Sequence, residues 1–140
     1  MIYPDTLVRR ILEETRVIAL VGWSPRPDRP SHGVARFLAN RGYRVIPVNP
    51  GQSGLVTEWG EAVRPSLADI GAQVDMVDIF RNPDAVEAVV DEALAALPGL
   101  STIWMQLGVV NQTAAAKAEA AGLTVIMDRC PAIEIPRLIG

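Results

Sequence analysis

The feature that most constrains the fold of this chain is a short apolar run that ends in a glycine and leads to a helix start. Val17–Val21 is continuously apolar, as is typical of a parallel strand covered on both faces. Gly22-Trp23-Ser24 then turns the chain, and a proline-rich loop carries Arg26 and Arg29 to Ser31, which we expect to cap a helix. Turns and helix N-termini present unpaired backbone N–H groups, which suit a phosphate. A nucleotide-like ligand is therefore the first hypothesis.

The rest of the chain alternates strand-like and helix-like runs. Further strands are expected at 44–48, 74–80, 102–106 and 123–127, and helices at 6–14, from 31 to a stop at Gly42, at 82–97 and at 112–121. The leading helix is expected to be capped by Asp5 or Thr6, and a short helical turn to lie at 66–70. The irregular stretch 49–65 has room for a small edge strand near 55–57 or 62–64.

This alternation predicts an α/β fold: a three-layer, Rossmann-like, doubly wound and mainly parallel sheet of five to six strands. The expected strand order is the edge strand, 44–48, 17–22, 74–79, 102–106 and 124–127. The switch point then lies between the first strand and the strand at 74–79, and a ligand crevice is expected there.

Length and composition narrow the class of protein. The 140 residues suit one domain spanning 1–140, and no apolar run reaches the roughly 18 residues of a membrane span. No secretory signal is recognisable, and a single cysteine cannot form an internal disulfide, so we expect a cytoplasmic protein that does not contact membranes. A net charge of −3 disfavours nucleic-acid binding.

The predicted topology gathers several arginines and turn residues at one edge of the sheet, because the carboxyl ends of parallel strands meet there. Guanidinium groups and free N–H groups are suited to a pyrophosphate. The segments concerned are Gly22-Trp23-Ser24 with Arg26 and Arg29, Asn49-Pro50-Gly51, Phe80-Arg81-Asn82, Gln106-Leu107-Gly108 and Asp128-Arg129-Cys130-Pro131.

The dinucleotide-binding fingerprint is incomplete. Ser24 stands where a second glycine is expected, and the second strand ends at Asn49-Pro50 without an acid for a ribose diol. This departure disfavours NAD. A ribose that carries its own phosphate, as in NADP or coenzyme A, remains compatible because no carboxylate would repel it.

An ordered set of short motifs extends along the chain from about 17 to 138. They are Val21-Gly-x-Ser24, Pro27-Asp-Arg-Pro-Ser31, Gly42-Tyr-Arg-Val45, Pro47-Val-Asn-Pro50, Pro65-Ser-Leu67, Val77-Asp-Ile-Phe-Arg-Asn82, Trp104-Met-Gln-Leu-Gly108 and Asp128-Arg-Cys-Pro131. Together they resemble the small CoA-binding proteins whose fold matches the N-terminal domain of the succinyl-CoA synthetase α subunit.

The resemblance implies that the ligand is coenzyme A (CoA) or a short acyl-CoA. It places the phosphates against Gly22, Ser24, Arg26 and Arg29, and the adenosine against Val48, Asn49 and Pro50. Phe80 and Arg81 would flank the pantetheine or the pyrophosphate, with Gln106 further along. The complete set of expected binding residues is Gly22, Trp23, Ser24, Arg26, Arg29, Pro30, Ser31, Val48, Asn49, Pro50, Phe80, Arg81, Gln106, Gly108 and Cys130.

No catalytic residue is evident. The synthetase passes phosphate through a histidine in a second domain, whereas the only histidine here, His32, is expected at an exposed helix start within reach of a phosphate. One histidine and one cysteine also fall short of a zinc set. Asp78 is expected to cap or orient the loop that carries Arg81. Two interpretations of Cys130 stay open: a thiolate favoured by Arg129 and able to form a mixed disulfide with CoA, or a small half-buried apolar residue.

We therefore expect a CoA-binding protein that is a carrier, a sensor or an accessory protein to an acyl-CoA enzyme, and is not itself an enzyme. We expect a monomer or a weak homo-oligomer, with Trp59 and residues 1–4 as exposed apolar groups at a sheet edge or a self-association surface. Two alternatives remain: an NADP-dependent reductase, and a detached subunit of an acyl-CoA ligase.

Overall fold

The computed structural model describes residues 2–140, and its helices and strands alternate along almost the whole chain. The helices are α1 (Asp5–Glu14), α2 (Pro30–Asn40), α3 (Val86–Ala96), α4 (Gln112–Ala120) and α5 (Pro131–Leu138). The strands are β1 (Val17–Val21), β2 (Arg44–Val48), β3 (Met76–Ile79), β4 (Thr102–Met105) and β5 (Thr124–Ile126). Three short 3-10 helices lie at Pro50–Gln52, Leu67–Asp69 and Pro83–Ala85.

The five strands form one parallel sheet in the order β2-β1-β3-β4-β5. This order confirms the predicted doubly wound fold and its switch point between β1 and β3. The expected edge strand is not formed within residues 2–140. Instead, single bridges join Val48 to Arg64 and Val56 to Ala62, so this stretch folds as a short irregular hairpin beside β2.

The sheet separates two apolar clusters, which makes three layers. Helices α1, α2 and α5 cover one face with residues such as Leu12, Leu38 and Ile135. Helices α3 and α4 cover the other face, where small residues such as Ala93 and Ala118 allow a close approach to the strands. Both faces are buried, which explains why the strands are almost wholly apolar.

Several predicted helix starts are wrong by one or two residues. Pro4 precedes α1, and neither Asp5 nor Thr6 lies at its cap. Arg29 precedes α2, whose first residue is Pro30, so Ser31 lies inside the helix and does not cap it. In α2 the fixed φ of Pro30 starts the first turn in place of the expected side-chain cap. In α1 the carbonyl of Pro4 accepts the Leu7 and Val8 N–H groups at 3.0 and 3.2 Å.

Helix α5 was not predicted from the sequence. It begins at Pro131, directly after Cys130, and contains Pro136 in its second turn. A proline inside a helix normally argues against one because it lacks a backbone N–H. Here the helix packs on α1 and α2 through Ile135, which is 1% exposed, so tertiary packing outweighs the local signal.

Two remaining expectations concern apolar groups near the sheet edges. The exposure expected for Trp59 is wrong, since its ring is half-buried against the core and its Nε1 donates to the Val45 carbonyl at 2.9 Å. Met1 lies outside the described residues, Ile2 is exposed, and the Tyr3 hydroxyl accepts a hydrogen bond from the Met127 backbone N–H at 2.8 Å. Within residues 2–140 we find no helix with the length and apolar character that a membrane-spanning segment requires.

Candidate functional site

A crevice of about 610 Å³ opens outside the carboxyl ends of the central strands, where the switch-point rule places a ligand site. Its walls come from the β1–α2 loop, the start of α2, the segments after β3 and β4, and the residue before α5. The lining residues are Gly22, Ser24, Arg26, Arg29, Pro30, Ser31, Val34, Phe80, Arg81, Asn82, Gln106, Leu107, Val109 and Cys130.

Gly22 brings the ends of β1 and β3 together beneath this crevice. Its φ of +91° lies in the left-handed region, and its N–H donates to the Val48 carbonyl at 2.9 Å. A Cβ at this position would lie 2.1 Å from the Phe80 carbonyl oxygen, far inside van der Waals contact. Only glycine fits both the backbone conformation and the close approach.

Two serines shape the loop between β1 and α2. The Ser24 backbone N–H donates to Ser31 Oγ at 3.1 Å, and the Arg26 N–H donates to Ser24 Oγ at 3.2 Å. Each hydroxyl therefore accepts a backbone hydrogen bond and retains its own O–H donor. The Ser24 and Arg26 N–H groups are thus engaged within the loop, whereas the two hydroxyl groups remain as donors for an anion.

Three arginines make this end of the crevice positive. Arg26 forms an exposed contact with Asp28, at 3.4 Å between Nη2 and Oδ2. Neither Arg29 nor Arg81 forms an ion pair with any residue between 2 and 140. Two exposed, uncompensated guanidinium groups therefore flank the same crevice.

The opposite end of the crevice is neutral and more apolar. Leu107 is 54% exposed there, and Val109 and Cys130 are buried in the wall. Gln106 is 5% exposed, and its Oε1 is buried with no hydrogen-bond partner among the described residues. Asp128, at φ +59°, fixes the loop after β4 by accepting the Gly108 N–H at 2.8 Å.

The structure brings most of the predicted site residues into one crevice, but five of them do not line it. Gly108 turns the loop, and Trp23 is 4% exposed beneath the loop that follows β1. Val48 is buried, and Pro50 starts a 3-10 helix. The Asn49 side chain donates to the Trp23 carbonyl at 2.8 Å and accepts the Gly51 N–H at 3.0 Å, so its polar atoms are used within the fold.

Four lining residues are not in the expected set of binding residues: Val34, Asn82, Leu107 and Val109. Val34 lies three positions after Ser31, so helical periodicity gives it the same face of α2. Asn82 and Leu107 belong to two of the segments that the predicted topology gathers at this edge of the sheet. We find no sequence signal for Val109, which depends on the turn after β4.

His32 lies in the first turn of α2 as expected, but the exposure expected for it is wrong. Its ring is half-buried and stacks on Trp23, with 5.9 Å between ring centroids. Its Nδ1 lies 3.0 Å from the Ser24 carbonyl oxygen and must donate, because a carbonyl only accepts. His32 therefore supports the loop after β1 and does not line the crevice.

The expectation for Asp78 is also wrong. It lies in β3 between Leu20 and Trp104, is fully buried, and neither carboxyl oxygen has a hydrogen-bond partner among the described residues. Burial raises the pKa of Asp78 well above its ordinary value, because water cannot solvate the charged form. Burial thus favours the uncharged acid, and Asp78 lies inside the core and caps no loop.

Arg129 does not line the crevice either. Its guanidinium contacts Glu134 at 3.8 Å, donates to the Asp128 carbonyl at 2.9 Å, and lies over the Tyr3 ring at 5.3 Å. Arg129 is adjacent to Cys130 in the sequence, but its guanidinium is directed away from the crevice side of Cys130. Its contacts instead connect α5 to the N-terminal segment.

Known proteins are similar to this chain in sequence and in fold. An uncharacterised protein of Bacillus subtilis (strain 168), YneT, is 37% identical over 123 residues, which is 88% of this chain and 87% of that protein. A solved structure from Thermus thermophilus is 36% identical, with a TM-score of 0.90 over 98% of this chain and 100% of that one.

A more distant similarity shows the fold alone. The apo form of the dinucleotide-forming acetyl-coenzyme A synthetase 1 from Ca. Korarchaeum cryptofilum is 22% identical, with a TM-score of 0.68 over 84% of this chain and 27% of that chain. The sequence pattern of the CoA binding domain matches residues 16–136, nearly the whole Rossmann-like unit. Because this match covers most of the chain, the chain belongs to the CoA-binding domain family.

Proposed function

We propose that this protein binds coenzyme A or a short acyl-CoA in the switch-point crevice and does not transform it. One observation carries the proposal: the crevice joins two unpaired arginines at one end to a neutral, largely apolar wall at the other. CoA has the same division, with phosphates at one end and an uncharged pantetheine arm at the other. Membership of the CoA-binding domain family supports this assignment.

The positive end is suited to the phosphates. Arg29 and Arg81 project from different segments, after β1 and after β3, so they can hold an anion from two sides. Guanidinium groups bind phosphate oxygens through charge-assisted hydrogen bonds, which are about twice as strong as neutral ones. The hydroxyl groups of Ser24 and Ser31 add neutral donors between the two arginines.

The dimensions of the crevice also suit the pantetheine arm. From the end of β1 to the segment after β5 the ligand would cross two to three strand spacings, about 10–14 Å. The pantetheine arm has roughly as many chain bonds as four peptide residues, an extended span of about 14 Å. A ligand with its phosphates at Arg29 would therefore place its sulfur near the Cys130 end.

The chemistry of the lining favours binding without catalysis. Among the described residues that line the crevice, only arginines and Cys130 carry an ionisable side chain. A general acid or base normally has a pKa near neutrality and lies within hydrogen-bond reach of the reacting atom. His32 and Asp78 are both held outside the lining. The role that fits is a carrier, a sensor or an accessory protein that hands the ligand to a separate acyl-CoA enzyme.

Calorimetric titration of ligand-stripped protein under reducing conditions tests the proposal. CoA and acetyl-CoA should bind, whereas NAD and NADP should not; dephospho-CoA should bind more weakly if a cation meets the 3′-phosphate. Binding of NADP without CoA would overturn the proposal in favour of a reductase. Binding of CoA together with turnover of an acyl-CoA by the isolated chain would overturn only the non-catalytic role.

A further inference from the structure

Cys130 is a free thiol in the wall of the crevice that the proposed function does not use. It is 6% exposed, immediately precedes α5, and lines the crevice together with Leu107 and Val109. It is the chain's one cysteine, so its sulfur has no disulfide partner within the protein. Arg129 is occupied by Glu134, so the crevice face of Cys130 is not covered by its neighbour.

Gln106 gives independent support for a ligand at this end of the crevice. Gln106 lines the crevice and is only 5% exposed. Its Oε1 has no hydrogen-bond donor among the described residues. Leaving a buried acceptor unpaired is unfavourable, because the group has lost its hydrogen bonds to water. Gln106 follows β4 and Cys130 follows the neighbouring strand β5, so a ligand arm whose amide N–H satisfies this acceptor would pass near the Cys130 thiol. The pantetheine arm carries two such amides.

We propose that Cys130 captures the disulfide form of coenzyme A by thiol–disulfide exchange within the crevice. This inference rests on the proposed function, because the phosphate end must hold the nucleotide for the arm to reach Cys130. It adds a covalent, reversible mode of binding to a site proposed above for the reduced ligand.

The exchange is balanced without an external oxidant. Cys130 gives its proton to water, and the resulting sulfur anion attacks one sulfur of the symmetric CoA disulfide. A bond forms between Cys130 Sγ and that sulfur while the original S–S bond breaks. The second CoA leaves as a thiolate and takes up a proton. One disulfide is consumed and one is formed, so no net oxidation occurs.

The test is intact-protein mass spectrometry under non-reducing conditions, with two disulfide probes. CoA disulfide carries the nucleotide, whereas pantethine, the disulfide of pantetheine, has the same arm without it. We expect one CoA adduct per chain, removed by dithiothreitol, that forms about 10-fold faster than the pantethine adduct because nucleotide binding raises the effective concentration of the disulfide. The Arg29→Ala variant should lose most of this preference.

Unfolded protein in denaturant is the matched control, since Cys130 is then equally accessible to both probes. The preference for CoA disulfide should disappear there. Absence of an adduct in the folded protein, or equal rates for the two probes in it, would overturn the inference. Calorimetry of reduced CoA on the wild-type chain separates the two proposals. Binding of reduced CoA without an adduct overturns the covalent capture alone, whereas no binding overturns both.

Discussion

Two neighbouring junctions between the sheet and its loops contain the same kinds of residue in opposite states. The crevice junction, around the ends of β1 and β3, consists of Trp23, Arg29, Asp78 and Arg81. The edge junction, around β2 and the irregular hairpin, consists of Arg44, Trp59, Glu61 and Arg64. Each has an indole, an acid and two arginines. In the crevice junction none of these side chains has a hydrogen-bond or ion-pair partner within residues 2–140.

The edge junction satisfies every one of those groups. Arg44 and Arg64 contact the two oxygens of Glu61 at 2.7 and 2.9 Å, and Trp59 Nε1 donates to the Val45 carbonyl at 2.9 Å. Burial opposes ionisation of Glu61, but the hydrogen bonds from Arg44 and Arg64 outweigh it and hold its pKa below the ordinary value. The difference teaches that residue type alone does not distinguish a binding edge from a structural one. The two junctions are distinguished by whether each polar group has a partner within the fold.

The largest effect is expected at Gly22, which joins the two junctions through its hydrogen bond to Val48. Gly22→Ala should destabilise the fold by about 3–5 kcal/mol, because a positive φ and a collision with the Phe80 carbonyl add together. Gly122→Ala is the matched control, with φ +90° and no atom within 4 Å of the added Cβ, and should cost only about 1 kcal/mol. Urea denaturation measures both. Equal costs would show that the strands separate easily at the crevice.

The two acids should respond to pH in opposite directions. The folded state holds the proton of Asp78 more tightly than the unfolded state does, since burial raises the pKa. As pH rises above the ordinary value of 3.8, the wild type should therefore lose about 1.4 kcal/mol of unfolding free energy per unit until the folded carboxyl ionises. Asp78→Asn removes this loss, so the variant should gain on the wild type as pH rises.

Glu61→Gln is the matched control. The pKa of Glu61 is lowered in the fold, so its stabilisation is complete above the ordinary value of 4.5 and is lost as pH falls through the folded pKa. The deficit of the Gln variant should therefore shrink in acid, the reverse of the behaviour at Asp78. Denaturant titrations between about pH 3 and 7 give both differences. A pH-independent difference at Asp78 would mean that water reaches its carboxyl group.

Arginine substitutions separate binding from stability. Arg29→Ala and Arg81→Ala should each weaken CoA binding by about 1.5–3 kcal/mol, the cost of losing a charge-assisted hydrogen bond, while stability changes little. Arg44→Ala should leave CoA affinity unchanged and cost stability through its contact with Glu61. Calorimetry and thermal unfolding on the same samples give both quantities. Unchanged affinity in both crevice variants would exclude the arginine clamp.

The sequence predicts the sheet well because continuous apolar runs and crossover rules act on whole elements. It places the crevice correctly for the same reason, since strand ends such as Gly22 and Gln106 follow directly from the topology. It does not predict the state of individual polar groups. Asn49, His32 and Asp78 are all polar residues near the same edge, yet their partners come from distant segments or are absent. Helix α5 was missed because Pro136 masks a helix that packing stabilises.

The smallest effect, and the most direct test of the comparison, involves the two indoles. Trp59→Phe removes the donor to the Val45 carbonyl and should lose about 0.5–1.5 kcal/mol in addition to the reduced ring contact. Trp23→Phe loses more buried ring area, but it also removes an unpaired N–H whose burial costs about 1–3 kcal/mol.

Packing alone would make the more deeply buried Trp23 the costlier site of the two indole substitutions. The hydrogen-bond difference predicts the reverse, with Trp59→Phe destabilising by about 1 kcal/mol more than Trp23→Phe in chemical denaturation followed by circular dichroism. A larger loss at Trp23 would show that its Nε1 has a partner such as a buried water, and the crevice junction would then resemble the edge junction in this respect.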